Sequence, residues 1–414
     1  MLKNNLNIMY NVMTCLSFSE RYILCVTCKD YFENKFKKYK HQDLIYIKSK
    51  QYFLAKKWTN IKFKASITYK QITNISSLKN IHTVNLYCCP NITDVSSLNT
   101  AHTIDLSSCK KITDVSSLKN AYNLNLRRCD KIIDVSMLGN IHTLDLGDTN
   151  IVDVSMLGNV HTLSLFNCKN ITDVSMLKNV HTLCLRCCKN IKDISLTINK
   201  KTMWKCYELD LSDTEIEDTS MFGNIHTLNL GDTCIGDVST LGKIHTLDLE
   251  NTCVIDVSML GNVYNLNLSR CTNVMDVSML GNVHNLDLSC TYIKNVSMLG
   301  NVYSLNLGMC YYLNDISGNS KTMWNCHNLD LSYTKIADVS LLENVYDLNL
   351  MNCENVSDVS MLGNVHKLLL IDCQKITDVS MLRNIFELNL YKCKNIPKKQ
   401  INDLRKTIPK FREP

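Results

Sequence analysis

Residues 171–191, ITDVSMLKNVHTLCLRCCKNI, bring an aspartate, a histidine and three cysteines within twenty-one residues. Thiolate and imidazole are the usual ligands of zinc, and a carboxylate near an imidazole can move protons. Asp173, His181, Cys184, Cys187 and Cys188 thus pose a choice between a metal or thiol centre and one turn of something longer. The same types recur along the chain. Ten of its eleven histidines fall at equivalent places, among them His142, His161 and His181, and Tyr122 and Phe386 take that place elsewhere. Tyr and Phe cannot replace His in one ligand set, so an aromatic column is the better reading. An aspartate column runs from Asp94 through Asp114, Asp134, Asp153 and Asp173 to Asp378. Catalysis needs one unique constellation, whereas an aspartate before each short turn caps free backbone N–H groups. The cysteine column has neither C-x-x-C pairs on facing hairpins nor an accompanying unique His, which argues against zinc. No catalytic residue, metal or cofactor is expected.

What positions these residues is a repeat of nineteen or twenty. ITDVSSLKNAYNLNLRRCDKI (112–132), VMDVSMLGNVHNLDLSCTYI (274–293) and ITDVSMLRNIFELNLYKCKNI (376–396) align beneath the opening stretch. Sixteen rungs begin at Ile81, Ala101, Ala121, Ile141, Val160, Val180, Cys206, Ile225, Ile244, Val263, Val283, Val302, Cys326, Val345, Val365 and Ile385. Numbering each rung from that residue, Ile81, Val84, Leu86 and Cys89 read L-x-x-L-x-L-x-x-C/T. Alternation about the central leucine predicts a short strand. The apolar residues that follow at three-residue spacing, Ile92, Val95 and Leu98, predict 3₁₀-like turns. No rung buries its leucines alone, so neighbours must stack on one continuous core. Parallel strands about 4.8 Å apart make a slab roughly 70–80 Å long.

Ten rungs carry Cys at position nine and six carry Thr. Two residues follow each Cys before the next apolar anchor, and one follows each Thr. A buried Cys is a small apolar filler, while a Thr hydroxyl can bond the backbone and close a tighter turn. A longer repeat is also present: KTMWKCYELDLSDT (201–214) returns as KTMWNCHNLDLSYT (321–334).

On these motifs the chain resembles the leucine-rich repeat family over roughly 80% of its length. The resemblance implies an α/β leucine-rich-repeat solenoid, with a parallel β-sheet on its concave face and 3₁₀ or short turns on its convex face. A small helical N-terminal cap is expected in front of it. The expected organisation is 1–60 as a helical F-box-like or capping segment, 61–396 as the solenoid, and 397–414 as a C-terminal capping helix.

Charge follows the same division. Residues 1–80 hold 15 Lys/Arg against 4 Asp/Glu, and residues 391–414 hold 8 against 2; with the whole at +6, the middle is acidic. NIMYNVMTCLSFSERYILCVTCKDYF (7–32) reads as two short amphipathic helices split at Ser17–Ser19. Its Val12, Met13 and Leu16, then Val26, Lys29 and Phe32, resemble an F-box. That resemblance implies docking on the adaptor subunit of a cullin-type (SCF-type) ubiquitin ligase through Val12, Leu16, Leu24 and Phe32. The bare alternative is a cap over the first rung.

If repeated positions are scaffold, function should lie where rungs differ. Positions seven and eight differ most, giving a candidate partner-binding set on the concave face: Tyr87, Arg127, Arg128, Phe166, Arg186, Asp213, Asp232, Glu250, Met351, Ile371 and Tyr391. Aromatics and Arg are hot-spot types. The expected function is a non-enzymatic protein–protein interaction scaffold, monomeric by itself, in the specific form of a substrate receptor of an SCF-type ligase. The alternatives are a bare binding module, or a binder of nucleic acid or another acidic partner through the basic head, although no aromatic-basic module supports nucleic acid. No run of about 18 apolar residues spans a membrane and the N-terminus is a poor signal peptide. Stacked, unpaired thiols suit the cytoplasm, or a host cytosol if the chain is viral. Lys-, Asn- and Ile-rich, Pro-poor usage suggests an A/T-rich genome, and the repeat array resembles the expanded repeat families of protists and of the large DNA viruses that infect them.

Overall fold

The structure is a computed structural model. It describes residues 73–79, 81–192, 204–317 and 324–414, together with the backbone of two earlier strands. Among the described residues one parallel sheet of 19 strands runs from end to end. Its first strands are β1 (Ile45–Lys48) and β2 (Phe63–Ser66). Sixteen three-residue strands follow, from β3 (Thr83–Asn85) to β18 (Glu387–Asn389), one for each rung read from the sequence. Each pairs in register with its neighbours in sequence, so Val84 faces Ile104 and Ile104 faces Leu124.

The strand is short because only positions three to five are free to extend. Position four is buried, three and five face out, and position six returns to the core, as in Thr103, Ile104, Asp105 and Leu106. Backbone pairing continues past the strand, from the Leu86 N–H to Asp105 O and from the Cys88 N–H to Ser107 O. Position seven therefore still lies on the outer face of the sheet. Position eight ends it: all sixteen residues there have φ between 54° and 66°, and none is glycine. Left-handed backbone strains a residue with a Cβ by roughly 1–2 kcal/mol, less for Asn and Asp. Ser108, small, only partly buried and at φ 63°, is the plainest case. Ser108→Gly should raise stability by about 0.5 kcal/mol, read as a higher urea midpoint.

Beyond position nine every third residue is buried, as in Ile112, Val115 and Leu118, and short 3₁₀ turns such as Ser116–Leu118 carry the chain back. These columns and those of the strands form one uninterrupted core from Ile75 to Ile408. Helix α1 (Lys398–Thr407) buries Leu404 over the last rung. Its Gln400 accepts the Val379 N–H at 2.8 Å and donates to Asp378 at 2.9 Å, which ties the helix to the turn of the last rungs. Strand β19 (Lys410–Arg412) then pairs with β18 and leaves charged side chains on the sheet edge, which discourages another chain from adding to it. Within the segment 1–60, expected to be helical, the described residues are those of β1. The adaptor-docking residues Val12, Leu16, Leu24 and Phe32 lie outside the described residues. No described helix is long and apolar enough to cross a membrane.

Candidate functional site

Stacking in register turns each repeated residue into a column, and each column has its own chemistry. At position two, sixteen rings from His82 to Phe386 stack one on the next. Successive centroids lie 4.3–5.1 Å apart and the planes are inclined by 7–30°. Stacked imidazoles point their in-plane lone pairs side by side, so successive rings cannot converge on one ion. Nδ1 of His142, His161 and His181 instead lies 3.2–3.3 Å from the hydroxyl of the following Thr. Desolvation, followed by the charges of His181 and His142, pushes His161 below the ordinary imidazole value. This depressed group adds stability that is complete above the unfolded value near 6.5 and is lost as pH falls from there through the folded value.

The aspartate column closes the turns, though not as helix N-caps. Asp114 Oδ1 accepts the N–H of Ser116, two residues on, at 2.9 Å, and the same bond recurs at Asp134, Asp153 and Asp276. This is an Asx turn leading into the 3₁₀ turn. The Ser N–H first, and the hydroxyl next, hold these carboxyls below the usual range.

Position nine explains the exchange of Cys for Thr. In nine Cys rungs the buried thiol donates to the position-six carbonyl of the preceding rung, as from Cys109 to Leu86 O at 3.2 Å and from Cys188 to Leu165 O at 3.1 Å. Thr149 and Thr214 donate instead to the position-six carbonyl of their own rung, Leu146 O and Leu211 O, at 2.6 Å. The hydroxyl closes the turn within the rung, and one residue is dropped. Burial pushes the thiols of Cys109, Cys129 and Cys188 up to about 12. Such groups are poor nucleophiles. Cys234 and Cys253 are exposed. Iodoacetamide should alkylate these two in the folded protein and spare the buried position-nine thiols until urea unfolds it; peptide mass spectrometry reads the difference.

Position five, on the outer face, was not singled out from the sequence. Asn and Asp alternate there for long stretches, and the Asn amide donates to the neighbouring carboxylate: Asn85 to Asp105 at 3.0 Å, Asn306 to Asp287 at 2.9 Å, Asn349 to Asp330 at 2.8 Å. Each Oδ1 also accepts the N–H of position seven, as Asn85 does from Tyr87 and Asp105 from Ser107. The strict N-D-N-D order was the available signal.

Against these uniform columns the variable residues form separate groups. Arg127, Arg128 and Phe166 come together around Asp148, which sequence reasoning missed. The Arg127 Nε lies 3.0 Å from the Asp148 carboxylate, with Arg128 Nε at 3.4 Å, and the Arg127 guanidinium sits 4.7 Å from the Phe166 ring centroid. Burial pushes the Asp148 carboxyl up, but hydrogen bonds from Asn167 and Arg127 and the two guanidinium charges outweigh it and hold the group low. Asp213 is engaged by Lys189 at 3.1 Å, Asp232 by Asn251 at 2.9 Å, and Glu250 by Arg270 at 3.7 Å. Tyr87 is exposed at one end, Arg186 is exposed beside Cys187, and Met351 and Ile371 are half-buried.

Tyr391 belongs to a charged group at the other end. The Arg412 guanidinium lies 4.8 Å from its ring, while Lys367 and Lys410 each lie 3.5 Å from the Glu387 carboxylate. His366 and Asp347 complete it at 3.8 Å. Elsewhere position three is mostly Thr or Asn, so these last rungs break the pattern there with Asp347, Lys367 and Glu387, and at position five with Leu369. Arg412 comes from the closing strand, outside the repeat, where periodicity carries no signal.

No family model matches the sequence, and a search of curated proteins gives no match. Solved structures do match. An internalin (InlF) from Listeria monocytogenes is 19% identical, with 84% of this chain and 88% of that one covered at a TM-score of 0.40. The functional domain of InlJ from the same organism, described as including a cysteine ladder, is 20% identical over 77% and 70% at 0.48. A leucine-rich-repeat protein of Leptospira interrogans is 16% identical over 86% and 95% at 0.58. The last of these, together with the in-register three-residue strands and 3₁₀ returns, identifies the fold as a leucine-rich-repeat solenoid.

Proposed function

We propose that the chain is a protein-recognition scaffold whose partner is held on the outer face of the sheet, at the Arg127–Phe166 group and at the charged end around Tyr391. One observation carries this reading. The repeated polar residues on that face are tied to their neighbours, and the side chains that break the repeat cluster as Arg, aromatic and ion-pair groups of hot-spot type. In its specific form the scaffold is the substrate receptor of an SCF-type ubiquitin ligase, with residues 1–60 engaging the adaptor and the sheet gripping the substrate; the F-box-like spacing of Val12, Leu16, Leu24 and Phe32 supports this.

Affinity purification of the full chain beside three double variants tests both levels. Arg127→Glu with Arg128→Glu, or Lys367→Glu with Arg412→Glu, should lose the substrate and keep the adaptor. Leu16→Glu with Leu24→Glu should do the reverse. A full chain that captures neither adaptor nor cullin defeats the ligase form. Capture that survives both charge reversals defeats the sheet-face site.

A further inference from the structure

The turn side of the solenoid carries a feature that neither the scaffold nor the sheet-face site uses. With positions 12, 15 and 18 of a Cys rung buried, and the equivalent positions one earlier in a Thr rung, the residues between them face outward. Two runs of three successive rungs place methionine just before the last of these buried positions: Met137, Met156 and Met176, then Met259, Met279 and Met298. They are 47–62% exposed, and in each run they follow one another on adjacent rungs rather than standing singly. Ile133 and Val152 at 68% and 56%, and Ile255 and Met275 at 67% and 59%, widen each run on the same side. The turns carrying them pack directly on each other. A Cβ at Gly139 would collide with the Met156 carbonyl oxygen, and one at Gly261 with that of Met279. Each run is therefore one continuous ribbon, deepened where glycine leaves bare backbone beside the thioethers.

Carboxylates stand beside both ribbons: Asp134, Asp153 and Asp173 lie three residues before the methionines of the first, and Asp256 and Asp276 before two of the second, where Asn295 takes the last place. Their Asx-turn bonds to the serines fix them beside the thioethers. A flexible apolar floor with a fixed anionic border fits an amphipathic helix whose flanks are cationic. The spacing agrees. A helix advances 5.4 Å per turn and rungs repeat at about 4.8 Å, so a helix laid across the rungs drifts by only about 1–2 Å over three of them. Unbranched methionine absorbs that drift, and a run of three matches the length over which it can.

We propose that the two methionine ribbons on the turn side are docking sites for a basic amphipathic helix of a partner protein. This is a different face from the one assigned above, and the two stand or fall separately.

The probe is a synthetic 18-residue Leu/Lys peptide with Leu at i, i+3, i+4 and i+7 spacing, added to the full-length protein labelled at methionine methyl carbons. Saturable shifts of the six methionine resonances are expected, with weaker binding at higher salt. Met156→Gln with Met279→Gln should weaken binding about tenfold or more. Asp153→Asn with Asp276→Asn should weaken it and flatten the salt dependence. The turn survives that change, because Asn295 already occupies the position and bonds the Ser297 N–H at 3.1 Å. A Leu/Glu peptide of the same pattern should not bind. Three results would each overturn the proposal: no methionine shifts, equal shifts from a scrambled Leu/Lys peptide, or displacement of the peptide by residues 1–44 added as a separate peptide, which would make the chain's own basic head the occupant.

Discussion

Trp324→Ala should lower stability by about 3–5 kcal/mol and split one unfolding transition into two. Trp204 and Trp324 are 0% and 2% exposed, and each stands at the start of a rung that follows a longer connection. There Trp-x-Cys replaces the ordinary Leu-x-x-Val, as a comparison of Trp324–Cys326 with Leu299–Val302 shows. One residue fewer is available to span the core, and the indole fills the space. Its backbone N–H reaches Leu341 O at 3.0 Å, and a Cβ at Gly300 would touch its ring at 3.6 Å, so it packs between the rungs before and after it. Trp204 does the same against Phe222, edge to face at 6.2 Å. A solenoid is stabilised by each rung's interface with its neighbours, so a cavity here weakens the joint between blocks more than either block. Urea titration followed by far-ultraviolet circular dichroism gives the loss, and hydrogen exchange locates it. Trp324→Phe should recover part of the stability, because less volume is removed. A single transition displaced by under about 1 kcal/mol would mean that the indole is not a structural joint.

How much of this was readable in advance depends on how far apart the interacting residues lie. The leucine columns and the three-residue return act within one rung, and spacing alone exposes them; turn length exposes the Cys–Thr exchange too, although the thiol bonds the rung before it. The second-position column was legible as aromatic, since Tyr122 and Phe386 replace histidine. The left-handed residue at position eight was not, because Cys, Arg, Met and Tyr stand there and only the register of the sheet imposes the conformation. It also separates two positions that the sequence presents as one variable pair. Position seven stays on the sheet face, as Phe166 does; position eight turns away from the strand. Arg412 and Asp148, which complete the two variable groups, come from residues a strand or more away from their partners. Strands β1 and β2, IYIK and FKAS, lack the repeat's leucines and were invisible to its period.

The alternation at position five makes the second strong prediction. Asn267 lies between Asp248 and Asp287 on adjacent strands, donates to Asp248 at 3.0 Å, and accepts the Ser269 N–H at 2.9 Å. Asn267→Asp keeps the acceptor, removes the donor, and lines up three carboxylates on three successive strands about 4.8 Å apart. The half-buried site should lose about 1–3 kcal/mol at pH 7 from the broken bond and the like charges. Asp287→Asn, which changes the same column by one atom in the other direction, should cost under about 1 kcal/mol, since amides can bond each other across rungs as Asn285 does to Asn265 at 2.6 Å. The pH dependence separates charge from shape. Repulsion raises the folded-state value of the new carboxyl above its unfolded value near 3.9, so the full penalty stands above the folded value and fades as pH falls through it. Once protonated, the introduced carboxyl can donate to Asp248 again. Urea midpoints of parent and variant, compared at each pH between 7 and 3, should therefore converge, with the parent's own acid loss cancelling in the difference. Equal costs for the two variants at pH 7, or a gap that persists at pH 3, would show that the Asn–Asp order is incidental to the sheet.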